Sequence, residues 1–460
     1  MCSRNWLIAL ITFVAFSAVV SAQRGYYDDL PPGPYCALKG CCPGRLDECS
    51  APILGTLCYC DDFCNQTNVM DCCPDYWSHC RGIPDPIPVP TTFKPPEIRA
   101  CTYQGKTYTF GETVKNNCNL CKCEQIGNTV EFLCERNHCM INELIVGTVN
   151  RERKYGWTAT NYSKFWGKSL DEGIATKLGT LQPERFVRNM NPVKKIYNPN
   201  DLPRQFDAYR EWPNYLSPIQ EQGDCASSWA ISTAAVASDR FGIVSKGQET
   251  VRLSAQNLIS CDIRGQQSCK GGYLDKAWAY IKRYGLVDED CFPYVDHDVL
   301  CIIDQYGDLA TSSCTLPPNG RRSKYVVAPA YRLGNETDIM FEILKSGPVQ
   351  ATMLVHNDFF SYAGGIYEKT DIVESRRTGF LSVRIVGWGE EYTHKGQLKY
   401  WKVANSWGTD WGEDGFFRIV RGRDESEIES FVIAAWPEIE RKRYPSIPVP
   451  LTPEYNLQLE

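Results

Sequence analysis

The sequence predicts an α+β chain. One large domain, helical in its first half and strand-rich in its second, follows small modules held by disulfides. Two observations carry this. Of the 23 cysteines, the 22 after Cys2 fall into blocks of ten (36–80), six (101–139) and six (225–314), each even, as separately crosslinked modules require. From residue 202 onward, helical spacing of apolar residues gives way to runs of β-branched and aromatic residues. The 460-residue length leaves room for several domains, one of them with a large core. A net charge of -6 and a pI near 5.6 argue against a general binder of nucleic acid or anionic membranes.

Residues 1–22 carry a basic Arg4, an apolar run from Trp6 to Val20 and small residues up to Ala22. That is the pattern of a secretory signal, and no later stretch is apolar enough to span a bilayer, so the expected location is extracellular. The sequons at Asn65, Asn161 and Asn335 fit that route as N-glycosylation sites.

Residues 36–80 have few aliphatic side chains, so crosslinks must replace a core. Cys58, Cys60, Asp61, Cys64, Asp71, Cys72, Cys73, Asp75, Tyr76 and Cys80 form a pattern that resembles the somatomedin B domain, an extracellular interaction knot. Ten cysteines stand where that family usually has eight, which leaves the pairing open between Cys36 and Cys49. Residues 81–99 hold six prolines and predict an extended spacer. Residues 101–139, with Cys118, Cys121, Cys123, Cys134 and Cys139, resemble a von Willebrand factor type C module; thiolates at this spacing also allow a zinc site, which secretion disfavours. Residues 140–200 lack cysteine. Their Trp157, Tyr162, Phe165, Trp166, Leu170, Ile174 and Leu178 suggest a short amphipathic segment, and they resemble the propeptide of cathepsin B. Such a propeptide lies through an active cleft.

The large domain is expected over 201–438, with a tail from 439 to 460. Ala230, Ala234, Ala237 and Phe241 recur at helical spacing, and Gly242 is expected to end that helix. Strands are expected within 381–389, 399–408, 415–422 and 430–436. The order of Gln222, Gly223, Cys225 and Trp229, then Cys269, Gly271, Gly272 and Tyr273, then Asn405, Ser406, Trp407 and Gly408 resembles the papain-like cysteine proteases of the cathepsin B branch. The resemblance implies a two-lobed fold, one lobe helical and one β-barrel-like. It also implies a Cys225–Cys269 bridge; Cys261, Cys291, Cys301 and Cys314 would form two more bridges in any of three arrangements.

A site of that family needs a thiol nucleophile, a histidine base, an asparagine that orients the base and an oxyanion-hole glutamine. Gln222 and Asn405 match, but the nucleophile's place holds Ser228 and the histidine's place holds Leu381. The five histidines are His79, His138, His297, His356 and His394, and none falls where a shifted alignment would recover a base. A histidine-paired cysteine is a standing thiolate with a pKa of about 3–4. A serine hydroxyl instead needs a base at the moment of attack, and loss of the cooperating residues costs on the order of 10⁶ in rate. His297 alone stands where the branch carries paired histidines in its occluding loop, and Phe431 replaces an acidic residue at the base of the main specificity pocket.

The full order of segments resembles the tubulointerstitial nephritis antigen family, which implies a secreted, basement-membrane-associated, non-catalytic glycoprotein that binds matrix proteins or cell-surface receptors, with no cofactor or metal. Vertebrate members resemble active proteases at the histidine position, unlike Leu381 here, and the chain has no Arg-Gly-Asp triplet. Two alternatives stand beside that reading: a residual cysteine-type peptidase, and a regulator that holds peptides or secreted signalling proteins in an inactive cleft.

Overall fold

The computed structural model describes residues 33–65, 71–83, 100–127, 129–307, 322–373, 378–394 and 396–439. The expected signal, the spacer from Pro84 onward and the tail from residue 440 lie outside the described residues. Among the described residues, no helix is long and apolar enough to cross a membrane. The chain divides into two units, 1–98 and 99–460.

In the first unit, a short helix (α1, Tyr35–Lys39), a hairpin of β1 (Ser50–Ile53) and β2 (Thr56–Tyr59), and a second helix (α2, Tyr76–Cys80) surround a core made largely of cystine. Leu54 and Gly55 both take positive φ, which gives the hairpin the tight turn that matches strand twist. The bridges are Cys36–Cys60, Cys41–Cys80, Cys42–Cys49, Cys58–Cys73 and Cys64–Cys72. Cys41, Cys42 and Cys49 are thereby accounted for.

The second unit opens with a small module of β3 (Ala100–Tyr103), β4 (Lys106–Thr109), β5 (Thr113–Asn116), β6 (Asn119–Ile126) and β7 (Thr129–Cys134). Its sulfurs pair as Cys101–Cys123, Cys118–Cys139 and Cys121–Cys134, so they are not zinc ligands. The segment that follows is not one amphipathic stretch. It forms helix α3 (Glu143–Arg151), strand β8 (Trp157–Ala159) and a capped turn at Leu170–Gly173 that continues as a π-helical turn to Leu178. Trp157 joins a strand because it packs on Tyr362 and Tyr367, and β8 pairs with β12 (Tyr362–Tyr367).

The helical half contains α4 (Ser228–Val244), α5 (Ala255–Cys261), α6 (Leu274–Tyr284) and α7 (Glu336–Ser346). Helix α4 is buried on nearly all sides, its polar residues included. Its Ser232, Thr233 and Ser238 return their hydroxyls to the carbonyls four residues back. The helix does not end at Gly242 but runs two residues further, to Val244. Gly242 marks a close approach instead, since a Cβ there would stand 3.0 Å from Tyr215.

The strand-rich half is built on β11 (Val349–Val355), β13 (Gly379–Thr393), β14 (Gly396–Ala404), β15 (Phe416–Val420) and β16 (Val432–Ala434). With β9 (Phe206–Asp207) and β10 (Tyr331–Leu333), they form one nine-stranded sheet with β12 and β8, in the order β10-β16-β11-β13-β14-β15-β12-β8, with β9 on β13. Met353 pairs with Leu381 in this register. The fold is therefore papain-like, with one apolar core under the sheet and another among the helices. A buried pair, Arg384 to Asp239, ties β13 to α4.

Candidate functional site

Ser228 is the first residue of α4 and is fully buried. Its Oγ donates to the carbonyl of Leu178, lies 3.1 Å from Thr180 Oγ1, and sits 3.4 Å from the N–H of Ser382, which donates to it. Beneath the corner, Cys225 and Cys269 are bonded, and Ala226 N–H donates to Cys269 O at 2.9 Å. Cys261 pairs with Cys301, which selects one of the open arrangements. Cys291 is also disulfide-bonded, and Cys314 lies outside the described residues.

Gln222 is fully engaged. Its Nε2 donates to Cys225 O (2.8 Å) and Thr176 O (3.1 Å), and its Oε1 accepts from Ser406 Oγ (2.7 Å). Asn405 Oδ1 accepts from the N–H of Ser406, while its buried Nδ2 has no partner among the described residues. Leu381 is fully buried in the same apolar cluster as Leu178 and Trp407.

Sequence reasoning missed how the cleft is filled. The aromatics do cover one side: Phe165 meets Trp407 edge-on, with ring centroids 5.7 Å apart. The floor, however, is filled by main chain. Four consecutive carbonyls, from Thr176 to Gly179, accept from Gln222 Nε2, Trp407 Nε1, Ser228 Oγ and Gly272 N–H. Thr180 N–H then donates to Phe380 O and Leu181 N–H to Gly272 O, so both walls hold this segment. Gly179 was the available signal. It has φ +72°, and a Cβ would stand 2.1 Å from Ala226 O.

Three lysines fasten this segment to acids of the protease-like body. Lys164 bonds Glu221 and Asp410, Lys168 bonds Asp224, and buried Lys177 donates to Gly223 O with Asp224 at 3.4 Å. The hydrogen bond from Lys168 holds the Asp224 carboxyl below its ordinary range, helped by the charge of Lys177. Burial lowers the Lys177 ammonium against the pull of Glu221 and Asp224.

The histidines lie elsewhere. His356 follows β11, and its buried Nδ1 is without a partner among the described residues; burial, with Lys369 nearby, pushes its pKa down to about 4. His394 stands by Gly156, His297 is exposed beside Asp296 at 3.5 Å, and His138 contributes its carbonyl to Leu170 N–H. His79 belongs to α2 in the first unit. Phe431 is buried and lines a cavity of about 400 Å³ with Trp278, Phe186, Val187 and Met190. Asn161 and Asn335 are exposed, and the Asn65 side chain lies outside the described residues.

The pattern of the papain family cysteine proteases matches residues 202–436. Tubulointerstitial nephritis antigen-like from Mus musculus is 43% identical over 94% of this chain and 97% of its own length. The Homo sapiens protein of that name is 44% identical over 88% of this chain and 89% of its own. Among solved structures, proCathepsin B S9 from Trypanosoma congolense superposes with a TM-score of 0.56 at 31% identity, covering 65% of this chain and 99% of that one.

Proposed function

The chain belongs to the papain family, in the tubulointerstitial nephritis antigen group, and from that premise we propose that it is a secreted, non-catalytic homologue that binds extracellular matrix proteins or secreted ligands. The observation that carries the non-catalytic part is the hydroxyl of Ser228, which donates to the chain's own Leu178 carbonyl. A serine nucleophile has to pass that proton to a base during attack. The place of the base is taken by Leu381 within an apolar cluster, and His356, with a pKa of about 4, makes no hydrogen bond to Ser228 among the described residues. Gln222, which would stabilise an oxyanion, already spends its amide on two carbonyls.

Residues 140–200 are best read as a permanent part of the body. Phe165, Leu170 and Leu178 are buried in the main core, and β8 is the edge strand of the main sheet. Regular removal of the segment would expose that core. The dense cystine of residues 36–139 and the exposed sequons at Asn161 and Asn335 support secretion as a glycoprotein. The somatomedin-B-like unit, ahead of a proline-rich spacer, is the part expected to engage matrix partners. Full chain assayed on immobilised purified basement-membrane proteins should bind at least one saturably, and a chain lacking residues 36–80 should bind it more weakly. Failure of the full chain to bind any of them removes the matrix half of the proposal.

A further inference from the structure

Away from the cleft, the C-terminal end of α6 carries a cluster with no role in the reading above. Arg264 follows Cys261 closely in sequence, and the Cys261–Cys301 bridge draws the loop bearing Tyr306 against Tyr284. The guanidinium carbons of Arg264 and Arg283 stand 5.9 and 5.3 Å from the Tyr284 ring. Tyr306 meets that ring edge-on, centroids 5.4 Å apart, with the two hydroxyls 3.2 Å apart. Neither arginine has a carboxylate ion-pair partner among the described residues. Asp262, two residues before Arg264 and within reach of its charge, is buried, and its carboxylate accepts from Gln266 Nε2 at 3.0 Å. Ile263 and Tyr306 are 78% and 77% exposed beside the pair.

The donor inventory determines what such a cluster accepts. Two guanidinium groups offer only donors. In the phenol pair, one hydroxyl donates to the other and leaves a single spare proton. Three donor groups, two guanidinium and one phenol, thus stand together with no carboxylate at ion-pair distance among the described residues, which suits an acceptor-only group such as a carboxylate. The hydrogen bond from Tyr284, with Arg264 and Arg283 adding their charge, draws the Tyr306 phenol below its ordinary range, while the same bond raises that of Tyr284. A polyanionic glycan would need a basic track, whereas this pair sits on a chain of net charge -6 and is flanked by an exposed isoleucine. Arginine, tyrosine and an apolar neighbour are the make-up of a protein contact.

We propose that Arg264, Arg283, Tyr284 and Tyr306 form a seat for an acidic side chain of a partner protein, with Ile263 receiving an apolar residue next to it. The proposal rests on the reading of the chain as a binding protein, but its test is independent of the cleft. Biotinylated peptides with glutamate between two leucines, and their glutamine counterparts, are immobilised and probed with the full chain at low ionic strength. Saturable binding to the glutamate peptide is expected, weaker by about tenfold or more for glutamine, in line with loss of charge-assisted hydrogen bonds. Arg264→Gln with Arg283→Gln should lose as much, and Tyr306→Phe a few-fold, with unchanged thermal melts as the folding control. Absence of binding, equal binding to both peptides, or indifference to the arginine substitutions overturns the seat. Arginine-dependent binding of a heparin oligosaccharide without peptide binding also overturns it, in favour of a glycan. None of these outcomes bears on whether Ser228 is catalytic.

Discussion

Gly179→Ala tests how the cleft is filled. The backbone there has φ +72°, and an added Cβ would lie 2.1 Å from Ala226 O and 2.6 Å from the Ala226 Cβ. A left-handed backbone costs an alanine about 1–2 kcal/mol. Relieving the overlap means drawing Gly179 away from Ala226 in the turn ahead of α4, which breaks the bonds from Gly272 N–H to Gly179 O and from Ser228 Oγ to Leu178 O. Each is worth about 1 kcal/mol net. The sum is about 3–4 kcal/mol, or a few hundredfold in local opening at about 1.4 kcal/mol per tenfold. Hydrogen exchange followed by mass spectrometry should show peptides spanning 176–181 exchanging faster by about that factor, since a protected amide reports the free energy of its own opening. Peptides from α5 should be unchanged. Equal exchange at 176–181 in the native chain and the variant would refute the close fit on which the account of the cleft depends.

Three further outcomes are expected. Ser228→Cys alone should give a cysteine of roughly ordinary pKa, about 8.5, lowered only in part by the helix N-terminus, and inert to thiol-protease probes; Ser228→Cys with Leu381→His, freed of residues 140–200, is the smallest change expected to gain weak activity. Burial raises the Glu342 carboxyl, but Arg240, Lys195 and Tyr331 outweigh that and hold it at about 2 against an ordinary 4.5. Its stabilising contribution is therefore complete above pH 4.5 and lost as the pH falls toward about 2; acid denaturation of Glu342→Gln should lack that part of the slope, and an unchanged acid limb would contradict it. Protein recovered from the medium of expressing cells should retain residues 140–200, so intact-mass measurement of material starting uniformly near Leu202 would count against the permanent segment.

The large domain was legible because its features are local and repeated: even cysteine blocks, the apolar spacing of α4, and β-branched runs that became β13 to β16. Gln222, Ser228, Leu381 and Asn405 were singled out by their order in the chain alone. What fills the cleft was not, because the contacts of Thr176 to Gly179 are made by carbonyl oxygens, which every residue carries. Only Gly179 leaves a trace. Gly242 misled for a related reason: a glycine that accommodates Tyr215 reads in sequence like one that ends a helix. The Arg264–Tyr306 cluster was hidden because the Cys261–Cys301 bridge, not sequence proximity, assembles it.

The central claim is that Ser228 is a relic position and not a nucleophile. The most direct test incubates the native full chain and Ser228→Ala with a broad peptide library and with serine- and thiol-directed covalent probes, reading cleavage and labelling by mass spectrometry. Neither protein should cleave above background, and no adduct should form on Ser228. Cleavage by the native chain that disappears in Ser228→Ala would contradict it and make His356 the first residue to examine as the base.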